Sequence, residues 1–243
     1  MERNRTGQII AIVALVASAV GISLGFAAFS NTLTIQSAAE IAPANFDVDF
    51  STDGNTQAHP TESNKTIGKQ GTVAGVPTKL TGVTKDATAG NATISNTGTG
   101  APVISGLKAN FTEPGQTVTY SFFAVNVGEL DAFLREVNFA TVTGGTYKSC
   151  TAKGSGDAAA TQSLVDAACN DISLKVSVGG TEYLASAGSN TTITNKGLTV
   201  CNNTPVVVTI TYAKTGTNGN RVDGDVDVTF GDITLVYKSL DAS

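Results

Sequence analysis

The chain has no tryptophan, one histidine and few charges, with Asp, Glu, Lys and Arg together making up only 14% of its 243 residues. A serine triad or a thiol protease needs an imidazole base, and the only candidate, His59 in "TQAHPTE", has no nucleophile motif such as G-x-S-x-G beside it. We read His59 as a surface histidine. HExxH and C-x-x-C are both missing, which removes the ordinary zinc-protease and structural-zinc sites. Basic residues do not cluster beyond Arg3 and Arg5, the net charge is −5 and the pI is about 4.8. There is thus no electrostatic footprint for nucleic acid, nor a reason to bind anionic lipid. No catalytic residue, cofactor or metal is expected, and the chain is not read as an enzyme.

Carboxylates do pair in sequence, at Asp47 and Asp49 and at Asp223, Asp225 and Asp227, but i, i+2 spacing on a strand only places them on one face, expected to be solvated. "DFSTDG" sets Asp49, Ser51 and Asp53 before Gly54, like the opening half of an EF-hand loop. Its twelfth position is Pro60, and that of "DGDVD" is Thr234, where a bidentate glutamate is required. Neither stretch has flanking helices, and both are read as solvated strand ends.

What the chain does have is glycine, threonine, asparagine and serine between short alternating apolar runs, the pattern of many strands joined by turns. "ANFDVDF" alternates Phe46, Val48 and Phe50 with aspartates. In "QTVTYSFFAVN", after a turn at Glu113-Pro114-Gly115, Val118, Tyr120, Phe122 and Ala124 share one face, with Phe123 and Val125 on the other. A further strand runs through Phe133, Val137 and Phe139. "DISLKVSVGGTEYLA" reads as a hairpin about Gly179-Gly180, with Tyr183 on the return strand. "TPVVVTITYA" and "DVDVTFGDITLVYKS" close the series. Asp157 is a candidate N-cap for one short helix across "AAATQSLVDAA". From Thr52 to Gly100 we expect long loops with two or three short strands. The sum is an all-β chain, an antiparallel β-sandwich or jelly roll with one short helix.

Cys150, Cys169 and Cys201 lie downstream of an apolar leader, and an oxidising compartment would allow one bridge. "CTAKGSGDAAATQSLVDAAC" reads as a self-contained excursion, so Cys150 with Cys169 is the expected pair, contributing about 3 kcal/mol in the chain-entropy model. Cys201 is then unpaired, or pairs with one of the others. Asn64, Asn91, Asn110, Asn190 and Asn202 each open an N-x-[ST] triplet, a pattern that also arises by chance in so asparagine- and threonine-rich a chain.

The N-terminus carries Arg3 and Arg5, then no charge from Ile9 to Phe29, which is the grammar of a secretory signal and also long enough to span a bilayer of roughly 30 Å. Either way the rest is exported, with membrane contact only through an uncleaved leader. Gly25-Phe26-Ala27 satisfies the small-x-small rule and would leave Ala28 first. A cut after Ala28 would begin the chain at Phe29. We therefore divide the chain into residues 1–28 as signal peptide or hydrophobic anchor helix, 29–42 as an N-terminal segment, and 43–243 as the β domain.

Across that junction "FSNTLTI" alternates Phe29, Leu33 and Ile35 with polar residues and would span roughly 23 Å, about one sheet edge. It either pairs with its own sheet as a first strand or lies along the edge of a neighbour. Burying the three apolar side chains would contribute roughly 5–9 kcal/mol before ordering costs. Repeated head to tail, such a contact does not close on itself and grows into a filament.

"GFAAFSN", "ANFDVDFS", "LKANFTEPGQTVTYSFFAVNVGELDAFLREV" and "VDVTFGDITLVYKS" together resemble the TasA/camelysin family of exported biofilm-matrix proteins. Members share an "AAF" junction, a Pro-Gly turn followed by an aromatic strand and an Asn-x-Gly turn, and a jelly-roll body. Residues 52–100 and the cysteine excursion have no counterpart in that pattern. The resemblance implies cleavage before Phe29, residues 29–35 as the donor strand, and a cell-surface or matrix fibre built from copies of this chain, with minor pilins or matrix components as accessories. Camelysin-type members are classed as surface metallopeptidases, but the residues of a familiar zinc site are missing here. A third reading keeps the leader as an anchor for a monomeric surface or adhesin domain.

Overall fold

Apolar side chains repeating every second residue generate strands with one buried face, and the longest such run sits at the centre of the domain. The structure, a computed structural model, describes residues 46–54, 70–96, 100–142, 144–153, 162–188, 193, 196–213 and 225–239. The chain divides into two compact units, Met1–Pro43 and Ala44–Ser243. Only the second contains described residues.

In chain order the first strands are β1 (Val48–Ser51), β2 (Gly71–Ala74), β3 (Val76–Lys79), β4 (Thr88–Ala89), β5 (Asn91–Ser95), β6 (Val103–Ser105), β7 (Lys108–Phe111), β8 (Gln116–Asn126), β9 (Ala132–Phe139) and β10 (Lys148–Lys153). Helix α1 (Gln162–Asn170) follows, then β11 (Ile172–Val178), β12 (Thr181–Leu184), β13 (Gly197–Leu198), β14 (Asn203–Tyr212), β15 (Asp225–Phe230) and β16 (Ile233–Lys238). Every strand pairing among the described residues is antiparallel. The domain is all-β.

One layer runs β1-β8-β14-β11-β12, with β3 sharing β8. The last part of β8 carries β1, from Ser51 opposite Phe123 to Val48 opposite Asn126, and its first part carries β3. The expected β8 face holds: Val118, Tyr120, Phe122 and Ala124 are all buried. Gly179 and Gly180 both take positive φ, 54° and 81°, as a two-residue hairpin turn requires, and β12 returns along β11 with Thr181 opposite Val178.

The second layer consists of two sheets, β10-β15-β7-β4 and β13-β9-β16-β6-β5-β2, that meet at a crease. Two long paths, β6 into β7 and β15 into β16, pass through it without a slip in register. Thr229 faces Lys108 on one side and Ile233 faces Ile104 on the other, which leaves Gly231 opposite Gly106. Gly106 has φ +73°, and a Cβ on Gly231 would lie 1.9 Å from Ala140 O, so glycine is required at both for different reasons. The Tyr120 hydroxyl of β8 ties the layers together at this crease, 3.0 Å from Gly90 O and 2.8 Å from Lys108 O. At the other end of β7 the Phe111 and Tyr212 rings meet edge to face at 5.9 Å.

Three expectations need correction. Asp47 and Asp49 are not on a solvated face: they are 7% and 1% exposed, and all of β1 is buried. In β9 it is Ala132 and Leu134, not Phe133, that share the inner side with Val137 and Phe139. A bulge shifts the register between Val236 opposite Glu136 and Tyr237 opposite Leu134, and a one-residue slip reverses the facing of everything beyond it. The expected Glu113-Pro114-Gly115 turn leads from β7 into β8, strands of different layers. The described residues of 52–100 contain four short strands, β2 to β5, where two or three were expected. The helix covers Gln162–Asn170, while the candidate cap Asp157 lies outside the described residues.

Candidate assembly surface

A protein that assembles by strand exchange is controlled at its sheet edges, where backbone N–H and C=O groups have no partner within the sheet. The chain enters the domain at one such edge. Phe46 covers Gly100, where an added Cβ would lie 2.4 Å from the ring, and the Asp47 carbonyl accepts from the N–H groups of Val127 and Gly128, each at 3.1 Å. The β8–β9 crossing is fixed by Asn126, the asparagine of the Asn-x-Gly turn. Its Nδ2 donates to Leu130 O at 2.8 Å and Leu198 O at 2.9 Å, and its Oδ1 accepts from Gly128 N–H at 3.0 Å.

The outer side of β1 is sealed by a side chain. Asn96 Oδ1 accepts from Phe50 N–H at 2.6 Å and Asn96 Nδ2 donates to Phe50 O at 3.1 Å, so the amide imitates one residue of a neighbouring strand. Along the same flank β3 is exposed at every position. It carries Pro77, which has no N–H to offer, and Lys79, which is paired with Asp86 at 3.3 Å. Proline and lysine both blunt an edge against addition of another strand. The Pro-Gly turn nearby is held by the fully buried Gln116, which accepts from the N–H groups of Thr112 and Glu113 and donates to Lys85 O and Thr112 Oγ1.

Near the β10 edge, α1 packs against the inner side of β10 and β15. The expected disulfide is present and joins Cys150 on β10 to Cys169 on α1. Lys148 Nζ donates to the carbonyls of Cys169 and Ile172 at the C-terminal end of the helix, where a cation is favoured. Burial lowers the Lys148 pKa from its ordinary value, with the charge of Asp171 opposing. The ammonium also lies 5.3 Å from the Tyr147 ring centroid, and that ring stacks on Phe230. Val165 and Ala168 bury the inner side of α1 completely. Beside this junction an open cleft of about 830 Å³ is lined by Phe139, Thr146, Tyr147, Asp166 and Ser186 among others. A smaller, polar hollow of about 380 Å³ lies over Thr88, Lys108, Asn110, Thr151 and Asp227.

Of the residues singled out from sequence, Ala27, Ala28, Phe29, Leu33 and Ile35 lie outside the described residues, as does His59. Cys201 is a free, half-buried thiol at φ +58° in the turn before β14. Ser51 Oγ donates to Asp53 Oδ1 at 2.9 Å, so two oxygens of the EF-hand-like stretch meet each other. Among the described residues no group of three or more His, Cys, Asp or Glu is placed to hold a metal ion, and no helix is long and apolar enough to cross a membrane. Asn91 and Asn202 are exposed, whereas Asn110 is buried with its amide donating to Asp227 at 2.8 Å. The sequence reading missed Asn96, Lys148 and Gln116. Asn96 acts 46 positions from its partner, a separation over which no local pattern carries a signal.

No family model, curated protein or solved structure matches this chain.

Proposed function

We propose that this chain is the subunit of an extracellular filament, exported behind a leader cut near Ala28 and assembled head to tail by donation of residues 29–35 to the next copy. The observation that carries this reading is the alternating Phe29, Leu33 and Ile35 at the leader junction. The likeness to the TasA/camelysin pattern supports the same assignment and the finer jelly-roll reading. So does the repeated switching of layers, from β7 to β8, β8 to β9 and β14 to β15, which a jelly roll requires. The disulfide is in keeping with an oxidising compartment outside the cytoplasm.

Purifying the secreted protein tests this directly. The mature N-terminus should be Ala28 or Phe29, and electron microscopy should show fibres. Deleting residues 29–35, or introducing Leu33→Asp with Ile35→Asp, should leave a folded monomer. Fibres formed as well by either variant as by the parent would refute strand donation.

A further inference from the structure

Residues paired directly across an antiparallel sheet project from the same face. Thr151 lies opposite Asp227, Asp227 opposite Asn110 and Asn110 opposite Thr88, so one polar row crosses all four strands of β10-β15-β7-β4. The row beside it sets Thr229 opposite Lys108, and Lys108 O accepts from Gly90 N–H at 3.0 Å. Gly90 adds no side chain there, and a Cβ on it would lie 3.3 Å from Lys108 Cβ. Together the rows line the polar hollow of about 380 Å³, a volume within the range of small-ligand sites.

Thr88 and Thr151 on this face are exposed, as on any solvated sheet, but Asn110 at the floor of the hollow is only 6% exposed. One N–H of its amide donates to Asp227 Oδ1 at 2.8 Å. The two planar groups are thus oriented before anything binds, and the amide keeps a second N–H and a carbonyl oxygen. At the rim Lys108 is exposed and joins no ion pair among the described residues. It stands diagonally from Asp227, a placing that separates side chains on neighbouring strands by roughly 7–8 Å.

We propose that this hollow binds a sugar carrying a carboxylate, a hexuronate residue of an acidic polysaccharide. Lys108 holds the carboxylate. Asp227 and Asn110 hold a pair of neighbouring hydroxyls, each of which donates to a fixed oxygen while accepting from the amide, and the threonine hydroxyls complete the shell. A pyranose ring bears its carboxylate and its ring hydroxyls at opposite ends, which matches a cation set diagonally from an acceptor pair. An apolar ligand finds no wall to pack on, and a lone anion would engage Lys108 while leaving the Asp227–Asn110 pair unused. The hollow includes none of residues 29–35, so it stands or falls apart from strand donation.

The test is calorimetric titration of the full chain, monomeric or fibrous, with methyl glucuronide, methyl glucoside and acetate. The glucuronide should bind about tenfold more tightly than the neutral glucoside, the worth of one charge-assisted contact. Lys108→Gln should erase that difference. Asp227→Asn should weaken both sugars about tenfold, and Thr151→Val, which removes one hydroxyl and keeps the shape, about threefold. Lys108→Gln and Thr151→Val alter exposed side chains, so the test stands even if Asp227→Asn does not fold. Acetate binding as tightly as the glucuronide would reduce the hollow to an anion contact and overturn the proposal. Equal affinity for the two sugars, no heat with either, or binding unmoved by Thr151→Val and Asp227→Asn would overturn it too.

Discussion

The flank where β1 and β3 share β8 and the flank where β10 ends the other layer face the same difficulty, an exposed row of backbone groups, and meet it with different chemistry. On the β8 flank the protection is short and noncovalent: one asparagine amide on Phe50, one proline, one lysine. On the β10 flank a whole helix is held by a disulfide, a half-buried ammonium and two fully buried side chains. Side-chain protection on the β8 flank involves no bond that a reductant can cut. The helix is held in part by a bond that chemistry can cut.

Alkali gives the largest expected effect and asks whether the two flanks fail together. All five tyrosines, Tyr120, Tyr147, Tyr183, Tyr212 and Tyr237, have phenols pushed above their ordinary value chiefly by burial, Tyr212 to about 12. A phenol that ionises less readily folded than unfolded contributes stability that is whole below about pH 10 and is lost as the pH climbs through the folded value. Lys148 has the opposite sign. Its proton is held less tightly in the folded chain, so a rising pH favours the fold between its lowered value and the ordinary 10.5. Absorbance titration should therefore show no tyrosinate before cooperative unfolding above pH 10, and Lys148→Met should remove the small gain that precedes it.

Cutting the disulfide should come next. Cys150→Ser with Cys169→Ser is expected to lower unfolding free energy by about 3 kcal/mol in urea. Asn96→Ala should cost about 1–3 kcal/mol, because it strands the N–H and C=O of Phe50 at a part-buried edge. Hydrogen exchange should then quicken in β1 and not in β10, and the disulfide variant should show the reverse. Failure of that reciprocity would mean the flanks are not independent. The smallest effect belongs to Pro77→Ala. Stability should change by less than about 0.5 kcal/mol, while light scattering at high concentration should report more self-association.

The strands were legible because burial on one face imposes a period of two, and β8, β11, β14, β15 and β16 fall where that period does. Cys150 and Cys169 were legible because the excursion between them interrupts the period. What the period could not carry is pairing across distance. The burial of Asp47 and Asp49 depends on what covers both faces of β1, and the facing of Phe133 depends on a bulge defined by β16. The Asn96 seal joins residues that no local window contains together. Phe29, Leu33 and Ile35, proposed above as a donor strand, lie outside the described residues.

The unslipped passage of β6–β7 and β15–β16 through the glycine crease has a mechanical meaning. A pull along these strands loads their interstrand hydrogen bonds side by side, in shear, so rupture demands that many yield at once, whereas a hairpin peeled from its end gives way bond by bond. A fold whose long ladders bend without breaking can transmit tension from one end to the other while still turning a corner, and Gly106 and Gly231 are the pair that let it do so.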